Sequence, residues 1–406
     1  MKFNKLSQLA LVSITGLLVA TLLSSCAIVT IDYVFLADSA GSGSASTGQI
    51  QTFDADSETG ALRQGQPNIS SGGNNPVAMA TSPDYANLYV VNKASNNVTH
   101  FAISGSGVLT QKDAVTTSAT PVAVAVGPAG KYLYVVSGPN PSVLTVYALS
   151  SGTIGSVVTT ETLALYGKYA SDSGDTIVPS GVFALASGNA VYVAAYDQSA
   201  YNPGGTTTST ANPGWIFGYT VGSGGALSPD ANPYEAGVKP SALVADPTSR
   251  FLYVADFASN EVIGYTIQSG SDLVFLINGP FKTGNEPDAM CIDPRGKYMY
   301  ITNGIDSSVS AYTIDLTTGT PSAAVNTTGS QTNATDTTPV AVIVDPSIGT
   351  FVYTANMVGN SVSGFTMNPN TGALQPSQST PYPTGSAPTA LAAVPHGNHS
   401  IQETSP

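Results

Sequence analysis

The chain has 406 residues, of which only 9% are charged, and carries a net charge of −13 at pH 7. No basic cluster overrides that field, which excludes nucleic acid as a partner and makes recognition of anionic lipid by charge a poor fit. Two distant cysteines, Cys26 and Cys291, give no disulfide framework.

The first element is a leader. Lys2 and Lys5 precede an apolar run over residues 9–23, and Ser24-Ser25 stand before Cys26. This is the layout of a secretory signal peptide, too short and too interrupted by hydroxyls for a good membrane span. Leu23-Ser24-Ser25-Cys26 also resembles a bacterial lipobox. The resemblance implies a lipoprotein signal peptide over 1–25 and lipidation of Cys26, with several acyl chains giving stable anchoring. Ala27 after the cysteine points by the same resemblance to the outer membrane or cell surface. An ordinary leader with an incidental cysteine is the competing reading. Residues 26–32 form a short tether, and loss of Lys2 and Lys5 takes the mature charge to −15.

From residue 33 the chain repeats. Pro76/Pro83, Pro121/Pro128, Pro240/Pro247, Pro287/Pro294, Pro339/Pro346 and Pro388/Pro395 keep one spacing, and Pro179 opens a further copy. A period of about 45–60 residues with strand-like texture marks a radial β array. The stretches 77–81, 122–126, 242–245, 289–292, 340–344 and 389–393 are short and apolar, as expected of innermost strands buried on both faces. Turns rich in Pro, Asp and Gly follow, then a strand carrying Tyr89, Tyr134, Tyr192, Tyr253, Tyr300 or Tyr353. A third strand ends on an aromatic residue, and a poorly defined fourth comes last. The spacing predicts four antiparallel strands per blade.

The two ends complete each other. Val34-Phe35-Leu36-Ala37-Asp38 matches Leu252-Tyr253-Val254-Ala255-Asp256, and after Pro388 only an innermost strand remains before a polar tail over 396–406. The predicted fold is therefore all-β: one seven-bladed propeller over 33–395, closed by the N-terminal strands plus the C-terminal strand, with no exposed sheet edge.

In such blades the loops before the first strand and after the second share one face. Lys239 and Glu286 precede Pro240 and Pro287 in adjacent blades, and a carboxylate beside an ammonium suits general-base attack of water on a lactone carbonyl. A solvated ion pair on the rim is the plainer alternative. Asp256 and Asn303 end their second strands on the same face. There too a long insertion begins with Tyr196 and Asp197, includes Tyr201 and reaches Trp215, the sole tryptophan. Aromatics beside amides and hydroxyls suit sugars or a protein surface, while a Trp215 packed between blades is equally open. Asp197, Asp256 and Asp306 have oxygen for Ca²⁺, but no contiguous loop has cation-ligand spacing, so neither a metal nor a cofactor is predicted.

The units from Pro240-Ser-Ala-Leu-Val-Ala-Asp-Pro247 to Phe257, and from Pro287-Asp-Ala-Met-Cys-Ile-Asp-Pro294 to Asn303, resemble the seven-bladed lactonase-like propellers (6-phosphogluconolactonase-like) and the Tyr-Val-Thr-Asn repeats. The resemblance implies the fold over nearly all of the mature chain, and a lactonase site at one mouth of the channel, often with a histidine on an innermost strand. None of the innermost strands holds one. His100 falls on a third strand, His396 and His399 in the tail, and Arg250 and Arg295 in turns at the other end, so no family catalytic residue carries over. The sequence therefore predicts a lipid-anchored extracytoplasmic propeller that binds a small molecule or an envelope protein through its loop face. Lactonase activity and a non-catalytic envelope scaffold are the alternatives.

Overall fold

A computed structural model describes residues 29–39, 47–198 and 213–396. Its strands form seven antiparallel sheets around a central channel. Leu36 pairs with Leu391 and Asp32 with Pro395, so Thr30–Asp38 lies beside Pro388–Pro395 and the two ends of the chain share the closing blade. The second strands, such as Phe251–Asp256 and Tyr298–Asn303, are buried throughout, which is why they are apolar without alternation. The innermost strands Pro240–Ala245 and Pro287–Ile292 are partly accessible because they line the channel.

The fourth strand is clear in only two blades, as Leu109–Thr116 and Thr153–Thr162. In the fifth blade, opened by Pro240, it splits into Leu273–Phe275 and Phe281–Lys282, both paired with Glu261–Ile267, with Gly279-Pro280 interrupting the ladder between them. Pieces of two or three residues are too short to show alternation, which explains their faint signature in the sequence.

The repeated tyrosines are latches between blades. In five of the six blades that carry one, the hydroxyl donates to a carbonyl in the turn between the third and fourth strands of the following blade: Tyr89 to Gly152 at 2.7 Å, Tyr192 to Ser271 at 2.9 Å, Tyr253 to Gly319 at 2.6 Å, Tyr300 to Gly372 at 2.8 Å and Tyr353 to Gly60 at 2.9 Å. The receiving glycine is required twice over at Gly319. Its φ of +73° lies in the left-handed region, and a Cβ there would strike the Phe251 ring. A second clamp works at the other end of the blades. The Asn260 side chain accepts the Glu286 N–H at 2.8 Å, as Asn96 does for Thr120 and Asn360 for Ala387 at 2.7 Å.

The two ends of the ring differ. One, the mouth face, holds the loops before the first strands and after the second. The other, the turn face, holds reversals in which a buried aspartate caps the chain: Asp246 accepts the N–H groups of Arg250 and Phe251 at 2.7 Å each, and Asp293 those of Lys297 and Tyr298 at 2.7 and 2.8 Å. The chain enters at the turn face, where the Val29 carbonyl accepts the Ser57 N–H at 2.9 Å.

Ring closure there is sensitive to pH. Asp32 is fully buried beside Asp345 and accepts the Ser347 hydroxyl at 2.5 Å. Burial, followed by the charge of Asp345, pushes the Asp32 carboxyl up to about 8 from 3.8. The folded chain then holds a proton that the unfolded chain has lost, so the contribution of Asp32 to stability is greatest below about pH 4 and falls as pH rises towards 8. Chemical denaturation should show a decline of at most about 1.4 kcal/mol per pH unit from this group. Asp32→Asn, neutral at every pH, should flatten it. An equal decline in that variant would assign the dependence elsewhere.

Candidate functional site at the channel mouth

Lys239 and Glu286 both lie on the mouth face, at the entries to neighbouring innermost strands. The turn that carries Lys239 is fixed by Asp256, which is fully buried and accepts the N–H groups of Val238 at 2.7 Å, Lys239 at 2.9 Å and Ala258 at 3.1 Å. The Lys239 ammonium stands 4.1 Å from the centre of the Phe257 ring and 5.8 Å from that of Tyr196, where cation–π attraction holds it over the mouth. Glu286 adopts a φ of +54°, as Asn75, Thr120, Thr338 and Ala387 do before their own prolines, so its backbone serves the blade repeat while its side chain is particular to this blade.

The structure adds Asp288, one residue past Pro287. It is half-buried at the entrance to the channel, and among the described residues no hydrogen bond ends on its carboxylate. Burial pushes its carboxyl up to about 6, against the pull of Lys239 and with a smaller push from Glu286. An acid, a cation and a second carboxylate are thus in electrostatic reach of one another. The seven residues that follow the opening prolines are Val77, Val122, Ser180, Ser241, Asp288, Val340 and Thr389. Superposing the repeats in this way marks Asp288 as the one ionisable member. Two of the three hydroxyls at that position stitch blades together, Ser241 donating to the Pro287 carbonyl at 2.6 Å and Thr389 to that of Pro76 at 2.7 Å, while Ser180 donates to the Ala194 carbonyl within its own blade at 3.2 Å. A carboxylate has no proton to give, so Asp288 leaves the pattern.

Other expected site residues have different surroundings. Asn303 is fully buried, donates to Ser308 at 3.0 Å and Ser310 at 2.9 Å, and accepts from Gly284 at 3.1 Å. Both it and Asp256 therefore hold the loops in shape from within. Trp215 is 7% exposed, inside the core between the third and fourth blades, with the Tyr169 ring edge-on at 4.5 Å. Asp197 is buried at the mouth face, and burial followed by a hydrogen bond to Asp197 raises the pKa of Asp175. Tyr196 is half-buried beside it. Tyr201 and Cys26 lie outside the described residues. Among those described, no three acidic, histidine or cysteine side chains form a metal cluster. Asp306 is engaged by the Asn285 N–H at 2.7 Å and side-chain amide at 2.8 Å.

His100 and Arg295 are structural. His100 is buried between Asp113 and Asn87, 2.8 Å from each, and stacks on Tyr89. Arg295 reaches across the turn face from Asp293 to the Gly349 carbonyl, 2.8 and 2.7 Å away.

Comparison with known proteins agrees with this architecture. A seven-bladed β-propeller lactonase family model matches residues 39–174 and 223–401. No curated protein matches the sequence. Among solved structures, the periplasmic gluconolactonase of Pseudomonas aeruginosa superposes with a TM-score of 0.71 at 18% identity, covering 90% of this chain and 99% of that one. A candidate 6-phosphogluconolactonase from Bacteroides uniformis gives 0.72 at 18% identity over 90% and 100% of the two chains. A Lactobacillus plantarum protein gives 0.70 at 17% identity over 90% and 99%. These identities speak for the fold, and the family match spans most of the sequence. The chain belongs to the lactonase family of seven-bladed β-propellers.

Proposed function

We propose that this propeller is a lactonase of the cell envelope, tethered through lipid at Cys26, that opens an uncharged sugar lactone at its channel mouth. Asp288 carries the reading: a carboxylate without a hydrogen bond among the described residues, raised to about 6, within reach of the Lys239 ammonium. A general base works best with a pKa near the operating pH. Asp288 takes a proton from water as the water oxygen bonds to the lactone carbonyl carbon, and Lys239 stabilises the charge developing on the carbonyl oxygen. The ring C–O bond then breaks, and the departing alkoxide takes the proton back from Asp288 to give a hydroxy acid.

The surrounding charge narrows the substrate. Asp175, Asp197 and Glu286 outnumber Lys239 near the mouth, which disfavours a phosphorylated lactone and favours release of the anionic product. Tyr196 supplies ligand contact on the same side. The extracytoplasmic setting is supported by the leader ending at Cys26, and it matches that of the periplasmic Pseudomonas gluconolactonase. Binding without turnover is favoured instead by one observation: innermost strands with no histidine or arginine.

Glucono-δ-lactone hydrolysis, followed by acid release with the mature chain, decides between these. Catalysis above the spontaneous rate, rising as pH passes about 6 and Asp288 loses its proton, is expected. A rate equal to that of buffer across several lactones, with saturable binding by calorimetry, would replace the enzyme with the binding module.

A further inference from the structure

The two faces of the ring lie at different distances from Cys26. Thr30–Asp38 is the second strand of the closing blade and runs from the turn face towards the mouth face, because Asp32 pairs with Pro395 and Asp38 with Pro388. The strand therefore begins at the turn face, four residues after Cys26. Four extended residues reach about 14 Å. A six-residue blade strand alone spans about 20 Å. A lipid held at Cys26 cannot bring the mouth face to the bilayer unless this strand, paired on both sides from Asp32 onward, peels away from the sheet.

Charge separates the two faces in the same sense. Exposed or half-exposed Lys131, Arg250, Arg295 and Lys297 on the turn face nearly balance Asp56, Glu58, Asp84, Asp272 and Asp315, while Asp246, Asp293 and Asp345 are buried in their turns. The mouth face gathers Glu161, Asp172, Asp175, Glu235, Glu261, Glu286, Asp288, Asp306 and Asp336 against Lys93, Lys168, Lys239 and Lys282, so anionic lipid repels it more strongly. The channel also opens on the turn face into a mainly apolar cavity of about 460 Å³ walled by Phe183, Val244, Met290, Cys291 and Val344.

We propose that the turn face rests against the lipid bilayer and that the mouth with Asp288 and Lys239 points away from it, into the aqueous compartment. The placement rests on the lipid anchor at Cys26 proposed above. Substrate then reaches the mouth, and the anionic product leaves it, without crossing the bilayer surface.

The test uses the full lipidated chain, carrying Cys291→Ala to remove the channel thiol and reconstituted in phosphatidylethanolamine/phosphatidylglycerol vesicles with a nitroxide on the lipid headgroup. A thiol-reactive fluorophore goes on Ser106→Cys, exposed on the turn face, or on Ala94→Cys, exposed on the mouth face of the same blade. Quenching of the Ser106 site should exceed that of the Ala94 site at least threefold, and detergent should abolish the difference. Equal quenching, or stronger quenching at Ala94, in a vesicle-bound protein would overturn the placement while leaving the anchor intact. Cys26→Ser should leave the protein off the membrane. If the unmutated chain does not partition to membranes, or the Cys26→Ser chain still does, the anchor fails and the placement fails with it.

Discussion

Replacing Asp288 with Asn should lower sugar-lactone turnover by at least about a hundredfold, the usual range for loss of a general base, while the circular dichroism spectrum and unfolding midpoint stay close to those of the parent. The amide keeps the shape of the carboxyl and cannot take a proton from water. Lys239→Met keeps the chain length over the Phe257 ring and removes the charge. It should cost a comparable factor in kcat with little change in KM, because the ammonium acts on charge that develops only in the transition state. Glu286→Gln separates the two carboxylates. Its charge is one of the influences that hold Asp288 up, so its removal should move the acid limb of the pH profile to lower pH and leave most of the rate. Loss of activity in Glu286→Gln with retention in Asp288→Asn would exchange their roles.

Whether a feature is legible in the sequence depends on whether its residues repeat. The prolines and tyrosines occur in nearly every blade, so their spacing alone implies seven blades and pairs the two ends of the chain. What the spacing does not give is the partner of each hydroxyl. Gly319 lies 66 residues after Tyr253 and contributes only its carbonyl, which carries no mark in the sequence. At the site, the rule that loops before the first strand and after the second share a face puts Lys239 and Glu286 at one end of the ring, where both act on the charge of Asp288. The same rule gives Asp256 and Asn303 the look of ligand contacts. Both are buried instead, because the loop amides around them need acceptors and these side chains are the nearest ones. Asp288 is hidden inside a strand that reads as uniformly apolar, and only comparison with Ser241 and Thr389 in the same register exposes it. The fourth strands are faint for a different reason, since short pieces split by turns leave no run for alternation to appear in.

Tyr253→Ala should cost about 3–5 kcal/mol in denaturant unfolding, the range for emptying an aromatic core position. The ring is fully buried, packed with Val244, Met299, Ile301 and Tyr312 of its own and the following blade. Burial raises the pKa of its hydroxyl, which therefore remains a donor to the Gly319 carbonyl at any pH the fold survives. Tyr253→Phe isolates that latch. It keeps the ring and leaves the carbonyl without its donor, for an expected loss of about 1–2 kcal/mol. The remainder of the alanine effect belongs to the ring and the cavity it leaves. Because the latch joins the fifth blade to the sixth, both variants should weaken the ring at that joint, and protection from hydrogen exchange should fall first in the turn around Gly319. An alanine variant within about 1 kcal/mol of the parent would place the ring at the surface and remove the latch from the account of what holds the blades together. A phenylalanine variant as damaging as the alanine one would instead make the hydroxyl, rather than the packing, the element on which closure of that joint depends.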